Sequence, residues 1–459
     1  MRRRSSLPIL PDLLTSLLPY IGVLCLICFL SPASAFSQQE PPADAAELSR
    51  NLLYHPAQRI EFAAGAAVLR AAEFTYRFDP ATSQWTVTRE HNFDRTSTSR
   101  ALKSWKDARR NVEYHFTGTS DEKQGELEIE RVGPDGSVPV AHLVLWTLDQ
   151  VAAAWLPHLQ REFRGLTVEQ VKKDFEPAEP EVAAVADDGT HLWLAIQHYS
   201  GEGWLGLGTL VQLDPATGEA VVRQPEELAI SSITQIAVAG GTLWLGARHI
   251  NEDSVEPTVT LTRFNPASGE VQIYEPGTNP IVGRIVTALA AAENFLWAAT
   301  DAGICRVALP AEQWTCWRIV PTVRLVAPTV VSNRPGGAAR GRLAAGSYEV
   351  RWATAAFLEV LTPDAVEGWL DPEDLDEYTQ RSFEQDPYLL ANVSSGGATV
   401  MRPLIKPGGD PLVAPQVFRV ALERLGAPNE DGWQKVSARI GWIPRGSLAV
   451  APVLQPISP

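Results

Sequence analysis

The sequence predicts an all-β protein, and three observations carry that prediction. The phrase TLWLG (242–246) followed by FNPASGE (264–270) repeats an earlier pair, HLWLA (191–195) and LDPATGE (213–219). Tryptophans 193, 244 and 297 recur at intervals near fifty residues, each inside an apolar run suited to a strand buried on both faces. Between those runs stand short alternating segments separated by Pro/Gly turns, such as LTRF–NPASGE–VQIYE (261–275), where Pro266 presets a turn position and Gly269 supplies a positive φ. A period near fifty with several short strands predicts the blades of a β-propeller. One such unit cannot bury both faces alone, so the phrase has to recur.

The chain opens MRRRSSLPILPDLLTSLLPYIGVLCLICFLSPASAFSQQ, three arginines before an apolar stretch and then the small residues of a signal-peptidase site. Cleavage is expected after Ala35, which assigns 1–35 to a signal peptide; an uncleaved anchor is the alternative. Residues 36–58 read as a flexible leader. The mature chain is then expected outside the cytoplasm, periplasmic or secreted and bacterial, without stable membrane insertion. Its 39 basic and 54 acidic residues fall to 36 and 53 on cleavage, a formal charge of −17. That surface argues against nucleic acid and anionic lipid as partners.

The propeller is expected over 59–320, with five to seven blades. FTYRFDPATSQWTVTRE (74–90) matches the outer half of the phrase, including Arg77 against Arg263 and Phe78 against Phe264. ELEIERVGPDGSVPVAH (126–142) matches more loosely, with a turn at Pro134. Residues 148–163 and 166–175 have helical spacing and good helix formers, so a helical insertion is expected near 144–180, with a degenerate further blade as the alternative. The strings "GGTLWLGAR" and "LTRFNPASGEVQIYEP" resemble the blade signature of two-component-regulator and streptogramin-lyase-like propellers, over about 181–320 and more weakly over 59–143. The resemblance implies a propeller and transfers no function.

Cys305 and Cys316 are symmetric about the turn at Pro310-Ala311 and are expected to face each other as a disulfide, as an exported protein allows. After residue 320 the phrase stops. GSYEVRWATAAFLEVLTPDAVEGWLDPEDL (346–375) and VFRVALERLGAPNEDGWQKVSARIGWIPRGSL (417–448) share a Gly-Trp-aliphatic ending with a leucine six residues after the tryptophan. Both are similar to bacterial Src-homology-3-like domains, which implies two small β-barrels, expected at 321–380 and 396–455. The resemblance also implies binding of cell-wall peptides or proline-rich segments. Tyr348, Trp369, Phe418, Trp433 and Trp442 are the candidate groove residues, although for Trp369 and Trp442 core packing is the leading role.

No HExxH, GxSxG, phosphate-binding GxxxxGK or GxGxxG motif is present, and the eight histidines are dispersed. No metal site or cofactor is expected. Streptogramin-type lyases place histidines and acids at the ring mouth. His249 follows LWLGAR at a strand exit, while His198 and Asp301 stand near the corresponding exits of the flanking copies. These three are the weak catalytic candidates. Asp187-Asp188-Gly189-Thr190 reads as a tight turn, and Trp193, Trp244 and Trp297 as packing between blades. The leading expectation is a non-catalytic binding or scaffold protein that recognises a protein, peptide or peptidoglycan in the cell envelope. A propeller lyase or hydrolase is the alternative, and a sensory domain that signals through a separate partner is a third reading.

Overall fold

In the computed structural model the described residues are 52–93, 101–133, 136–162, 165–175, 177–200, 203–249, 259–274, 281–283, 285–332, 336–370, 388–390, 421–424 and 434–457. The expected signal peptide, most of the leader and the turn residue Pro134 lie outside them. The described residues contain no helix long and apolar enough to cross a membrane.

Antiparallel strands dominate, grouped in five sheets. The first holds β1 (Arg59–Ala63), β2 (Ala66–Arg70), β3 (Phe74–Asp79) and β4 (Gln84–Arg89), and the second β5 (Ser104–Asp107), β6 (Val112–Ser120), β7 (Gln124–Gly133) and β8 (Gly136–Thr147). Two helices follow, α1 (Leu148–Glu162) and α2 (Val168–Asp174). The third sheet contains β9 (Glu179–Asp187), β10 (Leu192–Ser200), β11 (Gly203–Leu205), β12 (Leu210–Leu213) and β13 (Ala220–Arg223). The fourth is β14 (Ser231–Ala239), β15 (Thr242–His249), β16 (Val259–Phe264) and β17 (Val271–Tyr274). The fifth begins with β18 (Val286–Ala292), β19 (Phe295–Thr300), β20 (Gly303–Ala308) and β21 (Gln313–Leu325).

The repeated phrase packs one sheet on the next. Trp193 lies in a core shared by the third and fourth sheets, and Trp244 in a core shared by the fourth and fifth. Trp297 packs with Phe78 and Trp85 of the first sheet, so the last copy of the phrase meets the first sheet of the chain. The three indoles are 1, 0 and 4% exposed, which makes them core. The first strands of the sheets also touch in sequence, β9 against β14, β14 against β18 and β18 against β1. The protein is all-β and propeller-like.

The turn of the phrase has one mechanism in three copies. Asp79, Asp214 and Asn265 each accept, through the side-chain Oδ1, the N–H two residues on, at 2.9, 2.8 and 3.0 Å. These Asx bonds close the turn whose second residue is Pro80, Pro215 or Pro266. Where the expected insertion falls, α1 and α2 occupy the chain and no strand lies among the described residues between β8 and β9. Thr167 caps α2 in a reciprocal box with Gln170, and Trp155 on α1 donates its indole N–H to Gly206 O at 2.8 Å, which ties the insertion to the third sheet. Cys305 and Cys316 are directly opposite on β20 and β21 and form the disulfide.

In the C-terminal region, described strands of the two expected barrels pair with each other. Its strands are β22 (Thr329–Ser332), β23 (Ala339–Leu343), β24 (Gly346–Ala353), β25 (Phe357–Leu370), β26 (Tyr388–Leu390), β27 (Ala421–Arg424), β28 (Gln434–Pro444) and β29 (Val450–Pro456). β25 of the first passage pairs along its length with β28 of the second, so the two GW endings belong to one ladder. Val323, Val350, Val360, Ile443 and Val450 share one core. The expected boundary at 320–321 falls inside β21, which runs unbroken from β20 into pairing with β24 and β29. Pro321 is tolerated there because it faces Pro452, and neither needs an N–H at that step of the ladder. The end of the expected leader is held as well. Ala57 is fully buried, Tyr76 Oη donates to His55 O at 2.8 Å, and Leu52 and Leu53 pack on the C-terminal core.

Candidate functional site

The strand exits named from the sequence lie at matching ends of β10, β15 and β19, the second strands of three successive sheets. Their chemistry differs. His198 is 0% exposed; its Nε2 lies 3.1 Å from Thr209 Oγ1, its Nδ1 has no partner, and burial pulls its pKa to about 3. A ring so sealed is neutral and out of a substrate's reach. Asp301 Oδ1 accepts the Ile285 N–H at 3.0 Å, a turn-closing bond. His249 ends β15 opposite Ser231, and its side chain lies outside the described residues. Among the described residues no group of three or more His, Cys, Asp or Glu is arranged to hold a metal ion. Asp188 closes its turn by accepting from Thr190 N and His191 N at 2.8 and 2.6 Å, and it also takes the Trp193 indole N–H at 2.7 Å.

Of the groove candidates, Trp442 is 1% exposed on β28 and Tyr348 packs against the C-terminal core with its hydroxyl on Ala344 O at 3.1 Å. Trp369 pairs with Lys435 through the backbone, and its side chain lies outside the described residues, as do Phe418 and Trp433.

The open feature of the surface lies elsewhere. A cleft of about 660 Å³ runs between β4 and β29, floored by Phe74, Trp85, Val87, Trp317 and Leu454. A smaller hollow of about 280 Å³ shares Phe74, Arg89 and Val450 with it and extends to His55 and Arg445. Trp85 meets Trp317 edge to face at 5.3 Å, so the floor is a rigid aromatic plate. Arg89 marks the rim, paired to Glu73 at 3.0 Å.

Both walls of this cleft are strand edges. Among the described strands β4 pairs with β3 alone and β29 with β21 alone. Glu90 N donates to Glu73 O at 3.0 Å, and alternation from that bond turns the N–H and C=O of Trp85, Val87 and Arg89 away from β3. Ile457 N donates to Cys316 O at 3.0 Å, which by the same alternation turns Pro452, Leu454 and Pro456 away from β21. Two of those three are prolines, so this edge keeps its carbonyls and has Leu454 as a donor. Two prolines four residues apart in VAPVLQP, and so on one edge, are the sequence sign of an edge strand. The sign is legible without coordinates; which strand it faces is not.

No protein-family model matches the chain, and no curated protein matches it. Among solved structures it is similar to the extracellular domain of BT4673 from B. thetaiotaomicron, at 14% identity over 67% of this chain and 33% of that one, TM-score 0.27. It is also similar to PorZ, a surface component of the type-IX secretion system of Porphyromonas gingivalis, at 11% identity over 67 and 36%, TM-score 0.25. The WD40 domain of Neurospora crassa Pan2 aligns at 10% identity over 55 and 61%, TM-score 0.25. The chain spans about a third of the length of the first two. At these identities and TM-scores the similarities assign no function.

Proposed function

We propose that this chain is an exported binding protein of the cell envelope, built on five blades and one C-terminal β-domain with Src-homology-3-like strand order. It takes an extended segment of a partner protein as an added strand along β4, over the Trp85–Trp317 floor. The observation that carries this reading is the cleft itself: two strand edges without second partners among the described strands, facing each other across an apolar, aromatic base. Main-chain bonds from Trp85, Val87 and Arg89 supply affinity in strand addition, and side-chain pockets supply selectivity. The buried Cys305–Cys316 bridge supports an oxidising compartment. Nothing in the placement of His198 or Asp301 favours the lyase or hydrolase alternative.

The test uses Val87→Pro. Its N–H points away from β3, so proline there removes an edge donor and leaves the β3–β4 ladder intact. Panning a random peptide library on the mature chain should select extended apolar sequences, and both Val87→Pro and Trp85→Ala should lose them by tenfold or more. Selected peptides that bind Val87→Pro as well as the parent would sink the strand-addition reading.

A further inference from the structure

Arg248 is the penultimate residue of β15, and alternation along that strand sets its direction. Trp244 packs into the core shared with the fifth sheet, and a Cβ on Gly246 would meet Val286 Cγ1 at 2.9 Å. Arg248 is the next residue on that face. Ser232 on β14 stands directly opposite it, so the two side chains share the face. Ser232 is 2% exposed, and its Oγ has no hydrogen-bond partner. The buried Nε of Arg248 has none either, and the guanidinium makes no ion pair with a described residue.

That isolation is specific to Arg248. Among the described residues, burial pulls three arginines below the usual guanidinium range, Arg248, Arg306 and Arg340. Arg306 lies over the rings of Phe78, Phe295 and Trp297 at 5.0, 4.9 and 5.8 Å. Arg340 donates to Thr362 Oγ1 at 3.1 Å and to Asp364 O at 3.3 Å. Arg248 has neither substitute. Nor are carboxylates scarce, since the chain carries 54 acidic residues against 39 basic ones. A half-buried cation with a sealed Nε and no counter-charge among the described residues, beside a buried hydroxyl, costs stability that a bound anion would return.

We propose that Arg248 and Ser232 form a binding site for an oxyanion, a carboxylate or phosphate group, in the seam between the fourth and fifth sheets. A guanidinium offers two parallel N–H donors to such a group, and the Ser232 hydroxyl adds a third. The site is separate from the β4–β29 cleft and stands whether or not that cleft takes a peptide.

Isothermal titration of inorganic phosphate and, separately, acetate into the mature chain at constant ionic strength tests this and distinguishes the two chemistries. Saturable one-to-one binding of at least one is expected. Ser232→Ala should weaken it roughly tenfold and Arg248→Met about a hundredfold or more. Without anion, Arg248→Met should melt at or above the parent temperature, because it removes a charge that no described residue offsets. Absence of saturable binding, or equal binding by Arg248→Met, would overturn the proposal. So would a lower melting temperature or failure to fold of that variant, since the guanidinium would then already have a partner within the chain, such as an acid of 252–256.

Discussion

Glu359 on β25 stands directly opposite Trp442 on β28, and both are sealed: they are 0 and 1% exposed, and neither the carboxylate oxygens nor the indole N–H has a hydrogen-bond partner. Burial drives the Glu359 carboxyl up to about 8, against the opposing pull of Arg351, which itself pairs with Glu349 at 3.3 Å. The carboxyl is therefore protonated in the neutral-pH fold, within the one ladder that joins the two C-terminal passages.

The unfolded chain ionises Glu359 near 4.5, and the folded chain near 8. The folded state thus holds an extra proton in between, and stability is full below pH 4.5 and falls as pH rises toward 8. The fall attributable to this group is roughly 3–5 kcal/mol. Urea midpoints from pH 4.5 to 9 should show it, and Glu359→Gln should flatten that slope. A parent slope that survives in Glu359→Gln would assign it to another group.

His198 works in the opposite sense. Its folded pKa is about 3 against 6.5 unfolded, so its stability is fully present above pH 6.5 and is lost as pH falls toward 3. His198→Gln, which keeps a polar atom for Thr209, should remove acid sensitivity in that window. Hydrogen exchange at β10 and β12 is the local readout. Unchanged acid unfolding in the variant would place the acid-labile group elsewhere.

These two groups also mark how much the sequence disclosed. The phrase around Trp193, Trp244 and Trp297 showed the sheets and their mutual packing, because a buried tryptophan in a two-residue alternation has one physical use. Cys305 and Cys316 were legible because symmetry about one hairpin turn fixes their register. The joining of β25 to β28 was not: similarity between two strand endings is equally consistent with two barrels or with partners in one ladder. The cleft was hidden for the same reason, since β4 and β29 are more than three hundred residues apart and their approach is a tertiary fact. Trp442 was open to a groove or a core role, and its burial fits the core one; that Glu359 stands opposite it no local pattern discloses.

Ser83 has φ of 55°, at the turn position where the other copies carry Gly218 and Gly269, at 79° and 77°. A side chain there costs about 1–2 kcal/mol, and glycine's greater unfolded freedom returns part of that. Ser83→Gly should therefore raise stability by roughly 0.5–1 kcal/mol, read as a higher urea midpoint with unchanged slope. A loss would show that the Ser83 hydroxyl carries an interaction worth more than the strain.

The Cys305–Cys316 bridge closes a loop with a sequence separation of 11, and both sulfurs are buried between the fourth and fifth sheets. Replacing both with serine should cost about 2–4 kcal/mol, by loss of the loop constraint and by placing two hydroxyls in an apolar core. The alanine pair should cost less than the serine pair, and equal losses would confine the effect to loop closure.

Gly246 is where the repeated phrase departs from itself, standing in TLWLG where HLWLA has Ala195. The seam explains the difference: a Cβ at 246 would come within 2.9 Å of Val286 Cγ1 and 3.0 Å of Gln235 Cβ, both on β-strands with little room to move. Gly246→Ala should cost about 1–3 kcal/mol by overpacking. Val286→Ala alone should cost less, through a small cavity. If the contact is the cause, the double variant should be more stable than the sum of the two losses predicts, by at least about 0.5 kcal/mol. Simple additivity would mean that the glycine serves backbone conformation on β15 rather than the approach of two sheets.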